Sequence, residues 1–188
     1  MTPSIQKKTL IIFSGPPCSG KSALAQSLSS ATGIQHLEMD SIRKRLMPGS
    51  VQSKADRVVA YRAMEFVAST LLTHGVPVIL NATFGPLEHR REIIDISKEL
   101  SVPIYLVECK VEPTTAVHRF ESRHEPHPAV DLTAERVALL AQTFSYSGAG
   151  LLLDTSIDDI KSCLESVSVY LSHGDPIRSA EWLTPVCR

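Results

Sequence analysis

Long apolar runs are missing from this 188-residue chain, and their absence removes a first set of possibilities. No stretch approaches the roughly 20 consecutive apolar residues that a membrane-spanning helix requires. Met1 to Thr9 lacks the apolar core of a secretion signal, so a cytoplasmic location and no membrane partner are expected. Charge of one sign is equally scarce. With 19 basic and 20 acidic residues, no bulk field draws the chain to a long polyanion or an anionic surface. Cysteine is sparse too: Cys18, Cys109, Cys163 and Cys187 are scattered without metal-ligand spacing. Reduced thiols are expected in place of a disulfide frame or a zinc site. There is no repeat and no low-complexity tract, and the length suits one α/β domain.

What is present is an alternation of strand and helix signals. Leu10 to Phe13 is a continuous apolar run of the kind found in strands buried on both faces. Helical spacing follows over Ser22–Ala31, with Gly33 as its stop. Ile34–Met39 reads as a second strand, and Ser41–Leu46 as a helix before the Met47-Pro48-Gly49 breaker. A long helix is predicted over Ser53–His74, a strand over Val76–Leu80 and a helix from Pro86 to about Leu100. Ile104–Cys109 is a fourth strand and Thr114–His124 a further helix. Glu125-Pro126-His127-Pro128 then breaks the chain into a segment expected to act as a mobile lid, with His124 and His127 on its surface. A helix over about Thr133–Tyr146, a fifth strand over Gly150–Leu153 and a last helix to Leu171, opened by Ser156 with Asp159 as a capping-box-like pair, complete the pattern. The expected organisation is one domain over 1–171, with a lid at about 112–132, and a tail over 172–188 that includes Trp182. The alternation argues for an α/β three-layer sandwich: an open, mainly parallel sheet covered on both faces, with sites at strand carboxyl ends.

One octapeptide carries specific chemistry. Gly15-Pro16-Pro17-Cys18-Ser19-Gly20-Lys21-Ser22 is G-x-x-x-x-G-K-[ST], between a strand signal and a helix signal. Gly15 and Gly20 let the backbone curl so that successive amides face phosphate oxygens. Lys21 reaches the β- and γ-phosphates, Ser22 offers a hydroxyl to Mg²⁺, and the helix N-terminus adds about half a positive charge. ATP and Mg²⁺ are the cofactors this motif implies. Cys18, inside the loop, raises the question of a thiol acidified by the helix terminus.

Asp40 and Arg43 stand three apart at a strand-to-helix junction, on one face of the helix start. Two readings of Asp40 are open: a base for an acceptor hydroxyl, with Arg43 holding a substrate anion, or a helix cap. Arg119 and Arg123 are four apart. Either they close over a transferring phosphoryl group, or they form a solvated face pairing with Glu121 or Glu125. His89-Arg90-Arg91 is open between an anion-binding role on the acceptor side and a solvated helix face.

The set Gly15 to Ser22, Met39-Asp40-Ser41-Ile42-Arg43, Val78-Ile79-Leu80-Asn81-Ala82-Thr83-Phe84, and Arg119 with Arg123 resembles the P-loop kinases related to polynucleotide kinase, zeta toxin, gluconate kinase and chloramphenicol phosphotransferase. The resemblance runs from about Thr9 to Asp154. It implies a five-stranded parallel sheet, transfer of the γ-phosphate of Mg·ATP to a hydroxyl, a general base at Asp40, and lid arginines at Arg119 and Arg123. Lys21 would act in catalysis, and Arg43, Thr83 and Arg90 would contact the acceptor. A small-molecule acceptor is the first expectation and a nucleic-acid 5′-hydroxyl, held as a short end, the second; an ATP-binding switch with little transfer is the third. The last draws on Asn81, which stands where such kinases often carry an acidic residue that helps hold the magnesium water shell.

Overall fold

The computed structural model describes residues 8–49, 53–123 and 132–184. Its sheet contains β1 (Leu10–Ser14), β2 (Gln35–Glu38), β3 (Val78–Asn81), β4 (Ile104–Lys110) and β5 (Leu151–Asp154). All pair in parallel, in the order β2-β3-β1-β4-β5. β1 is central and buried along its whole length, which is why its sequence is continuously apolar instead of alternating.

The two-residue period of a strand divides β1 between two cores. Leu10 and Ile12 join Val78 and Leu80 on one face, packed by α3 (Lys54–Thr73) and α4 (Leu87–Leu100) through Met64, Leu72, Ile93 and Ile94. Ile11, Phe13 and Ile79 line the other face, covered by α1 (Lys21–Thr32) and α7 (Ile160–His173) through Leu24, Leu28 and Val167. Each such side chain contributes about 1.5–3 kcal/mol on burial, so the central strand is the most strongly held element. α2 (Met39–Leu46) follows β2 directly, and α5 (Pro113–Glu121) and α6 (Ala134–Thr143) form a small third cluster around Val111, Ala116 and Val137.

The expected elements are present, with corrections at their ends. β3 starts at Val78, because the Val76 amide is spent on Leu71 O at the close of α3. α3 opens with a true capping box at Ser53 and Asp56. No such box opens α7: Asp159 is itself the cap, accepting from the Ser162 amide, and Ser156 Oγ accepts from the Glu112 amide instead. α5 ends at Glu121, so Arg123 lies beyond it. The expected lid residues from 124 to 131 fall outside the described residues. The tail is not featureless: α8 (Ser179–Leu183) seats Trp182 in the core, fully buried, with an edge-on contact to Phe84. A lone helical turn has too few apolar residues to show a period, so no sequence pattern marks it.

Among the described residues no helix is long and apolar enough to cross a membrane. Cys18, Cys109 and Cys163 are free thiols.

Candidate functional site

The octapeptide leaves β1 at its carboxyl end and enters α1 at Lys21. Gly15, at φ 152°, sits so close to β4 that an added Cβ would lie 2.5 Å from Cys109 O, which accounts for glycine there. Gly20 is left-handed at φ 80° and caps α1 without any side-chain hydrogen bond. The first-turn amides of α1 therefore keep their donors for a ligand, and the helix dipole favours an anion at that end. Lys21 Nζ folds back to Pro16 O at 3.2 Å. Burial in the loop lowers its pKa, opposed first by the charge of Asp40. A partly buried ammonium beside the α1 N-terminus is the electrostatic setting of a polyphosphate cradle.

The loop is braced from outside. Thr155, just after β5, donates to Ser19 O at 2.9 Å. Arg119 reaches across from α5 to Thr155 Oγ1 at 3.1 Å and Cys18 O at 3.3 Å, and it also donates to Thr155 O. Its guanidinium is thus engaged with the loop's outer wall rather than projecting over the cradle. Arg123, exposed beyond α5, lies against the Cys18 thiol. Burial raises the Cys18 pKa by more than Arg123 and Lys21 lower it, which removes the expected acidification of this thiol.

On the other side of the cradle, α2 begins at Met39, so Asp40 lies inside the first turn and is not its cap. The capping alternative is thereby excluded. Asp40 Oδ1 meets Arg43 Nε at 3.4 Å, with Arg43 almost fully buried and Asp40 about one-third exposed. Thr83 closes this side: its carbonyl accepts from Ser14 Oγ and the Gly15 amide, and its hydroxyl lies 3.2 Å from Tyr61 Oη. Tyr61 also accepts from the Phe84 amide, which helps hold Phe84 at φ 49°. A bulky residue in that region is strained, and here the surrounding bonds impose it.

Arg90 is not at the acceptor face. Its side chain is 1% exposed, and it donates to Phe84 O at 2.7 Å, Trp182 O at 3.0 Å and Ser145 O at 3.1 Å. The guanidinium is a structural rivet joining three segments. Its burial faces Trp182, which no helical spacing could have revealed.

Glu38 is a site residue that the sequence reading passed over. It ends β2, opposite Asn81 in the β2–β3 register. Asn81 Nδ2 donates to Ser22 Oγ at 2.9 Å and to Glu38 Oε1 at 3.1 Å. Burial pushes the Glu38 carboxyl up, but hydrogen bonds from Ser41 and Ser22 and the charges of His36 and Lys21 bring it below its usual value. The signal was available: Glu38 precedes Asp40 by two, and ending the strand one residue earlier would have placed it at the sheet's carboxyl edge.

Ser22 Oγ and the Glu38 carboxylate, joined through the Asn81 Nδ2 group, are oxygen donors of the kind that suit hydrated magnesium.

Behind Thr83, His89 stacks on Tyr61 with centroids 3.6 Å apart, and Glu65 lies 4.0 Å from His89 Nδ1. Burial, then the charge of Glu92, pushes the Glu65 carboxyl up to about 7 against the pull of Arg62. A carboxyl whose folded value lies above its ordinary 4.5 supports the fold below that ordinary value, and its support drains away as pH climbs to about 7. Glu65→Gln should therefore raise the melting temperature at pH 8 and leave it nearly unchanged at pH 4. A difference independent of pH would show that the Glu65 environment does not penalise its charge.

Comparison with known proteins agrees with this fold. An adenylyl-sulfate kinase from Deinococcus deserti is 33% identical to this chain over 104 residues, half of its length. The match covers 58% of that relative, so the chain spans less than two thirds of its length. Among solved structures, the Mycobacterium tuberculosis APS kinase in complex with AMPPNP and APS superposes with a TM-score of 0.67 at 21% identity, covering 88% of this chain and 98% of that one. A gluconokinase from Sinorhizobium meliloti gives 0.64 at 14% identity, covering 88% and 93%. These likenesses establish the α/β P-loop kinase fold. A family profile described as AAA domain, AAA_33, matches residues 10–146, the stretch that holds β1 to β4 and the whole cradle, and the chain belongs to that family.

Proposed function

We propose that the protein is an ATP-dependent phosphotransferase that moves the γ-phosphoryl group of Mg·ATP to a hydroxyl of a small-molecule acceptor. The observation that carries this reading is the position of Asp40, part-exposed, paired with Arg43 and acting electrostatically on Lys21. A carboxylate so placed can accept the proton of an acceptor hydroxyl, the step that transfer to an alcohol requires. Adenylyl-sulfate kinase and gluconokinase relatives support a small-molecule acceptor.

In this reading the loop amides from Gly15 to Ser22 and the α1 N-terminus hold the phosphates, and Lys21 draws charge from the β- and γ-oxygens. Ser22, with Glu38 and Asn81 beside it, would hold magnesium, which when bound offsets the charge of the phosphate oxygens. Arg43, buried against Asp40, fixes that carboxylate, and Thr83 orients the acceptor. Asp40 takes the hydroxyl proton as the acceptor oxygen bonds to the γ-phosphorus and the bond to the ADP oxygen breaks. Arg119 acts by stiffening the loop, and Arg123, beyond the end of α5, is the arginine this reading assigns to the transferred group. Catalysis is then positioning and electrostatics.

The test is ADP release from Mg·ATP with and without a pooled panel of hydroxyl-bearing metabolites. Acceptor-stimulated release is expected, and Asp40→Asn should lower kcat by about 10²–10⁴ while nucleotide affinity stays close to wild type. Stimulation by 5′-hydroxyl oligonucleotides alone would replace the acceptor class. Full kcat in Asp40→Asn would remove Asp40 from the chemistry.

A further inference from the structure

Two strands end side by side at the cradle, and what they carry there is one carboxylate and one amide. Asn81, 1% exposed, turns its Nδ2 to Ser22 Oγ and Glu38 Oε1, at 2.9 and 3.1 Å. The amide orientation follows from chemistry: a carboxylate oxygen only accepts, so the NH₂ group must face Glu38. Oδ1 is then turned away, buried and without a hydrogen-bond partner. The second oxygen of Glu38 is fixed as well, by Ser41 Oγ at 2.5 Å. Glu38 is therefore held by donors at both oxygens and tied through one amide group to the hydroxyl that begins the metal site.

We infer that Glu38, at the end of β2, supplies the negative charge that holds the water shell of nucleotide-bound magnesium, and that Asn81 is a positioning residue that ties this carboxylate to Ser22. The inference rests on the Mg·ATP reading above. It also gives Asn81 a physical reason. An aspartate at that position would set a second carboxylate about 3 Å from Glu38, where two like charges cannot both stay ionised and one is forced to take a proton. With Glu38 in place, the amide is the group that fits: it donates twice and adds no charge. Asn81 is thus no mark of a binding protein that has lost its metal, because the charge sits on the neighbouring strand.

The experiment measures ADP affinity by calorimetry with and without Mg²⁺, and reads the ratio, the gain in affinity due to the metal. Glu38→Gln should cut that gain by about 10–100-fold, the usual cost of losing an outer-shell partner, with metal-free affinity little changed. The charge-swapped double variant Glu38→Gln/Asn81→Asp should recover most of the gain, because it puts one carboxylate and one amide back on the same two strand ends. Glu38→Asp, which keeps the charge, should fall between. A wild-type gain in Glu38→Gln, or a double variant no better than Glu38→Gln, overturns the inference while leaving the kinase reading intact. A wild type that binds ADP equally with and without Mg²⁺ overturns both. Should Glu38→Gln fold too poorly to measure, the double variant decides alone: a gain near wild type supports the relocated charge and its absence refutes it.

Discussion

Lys21→Ala should lower kcat/KM for phosphoryl transfer by about 10³, equivalent to about 4 kcal/mol of transition-state stabilisation. The argument starts from the cradle. The loop amides and the α1 N-terminus are dipoles, whereas Lys21 is the one full charge in the octapeptide. Its ammonium is partly buried in the loop, which lowers its pKa, so an incoming phosphate meets a charge that water screens less than at an open surface. In the resting loop Lys21 Nζ makes one hydrogen bond, to Pro16 O. Releasing that bond to engage phosphate requires little reorganisation. The same fact separates catalysis from folding, since loss of one partly buried bond should move the melting temperature only slightly. Single-turnover ADP formation, nucleotide affinity and a thermal melt of the same variant make the check. Wild-type turnover in Lys21→Ala would mean that the octapeptide does not hold the transferred phosphate.

Arg90→Leu is the substitution with the largest expected effect on stability, a loss on the order of 3–5 kcal/mol, as for other broken buried charge networks. Three carbonyls, from Phe84, Trp182 and Ser145, would lose their donor at once inside the protein. Each buried acceptor left unpaired costs roughly 1–3 kcal/mol. Against a domain stability of about 5–15 kcal/mol that is a large fraction, and the melting temperature should fall by about 10 °C. Arg90→Lys should recover little, because a single ammonium cannot reproduce the planar fork that meets three carbonyls. The damage should also reach the cleft. Phe84 O is one of the three acceptors, and Phe84 adjoins Thr83, whose carbonyl is bonded to Ser14 and Gly15. A melt unchanged within a degree or two would show that the segments hold without the rivet.

How much of this was legible depends on the range of the interactions. The buried strand at Leu10 to Phe13, the glycine-bearing loop and the helix after Lys21 are contiguous, and each is dictated by local backbone sterics and by apolar periodicity. They appear in the structure where the pattern puts them. The Asp40–Arg43 pair was legible for the same reason, as a three-residue spacing at a helix start. Arg90 was misjudged because polarity usually means exposure, and burial of a guanidinium depends on carbonyls that other segments bring to it. Trp182 was legible only as a residue of the tail, because its docking partners lie in α4 and the loop after β3.

By itself the sequence determined the phosphate cradle, since a loop of eight consecutive residues carries its own geometry and its own chemistry. Only the tertiary structure decided which carboxylate stands beside Ser22. Asn81 reaches Ser22 across 59 residues of chain and Glu38 across 43, and both contacts exist because β3 lies between β2 and β1 in the sheet. Strand order is set by how apolar faces pack and by right-handed crossovers, and no spacing along a single chain records it.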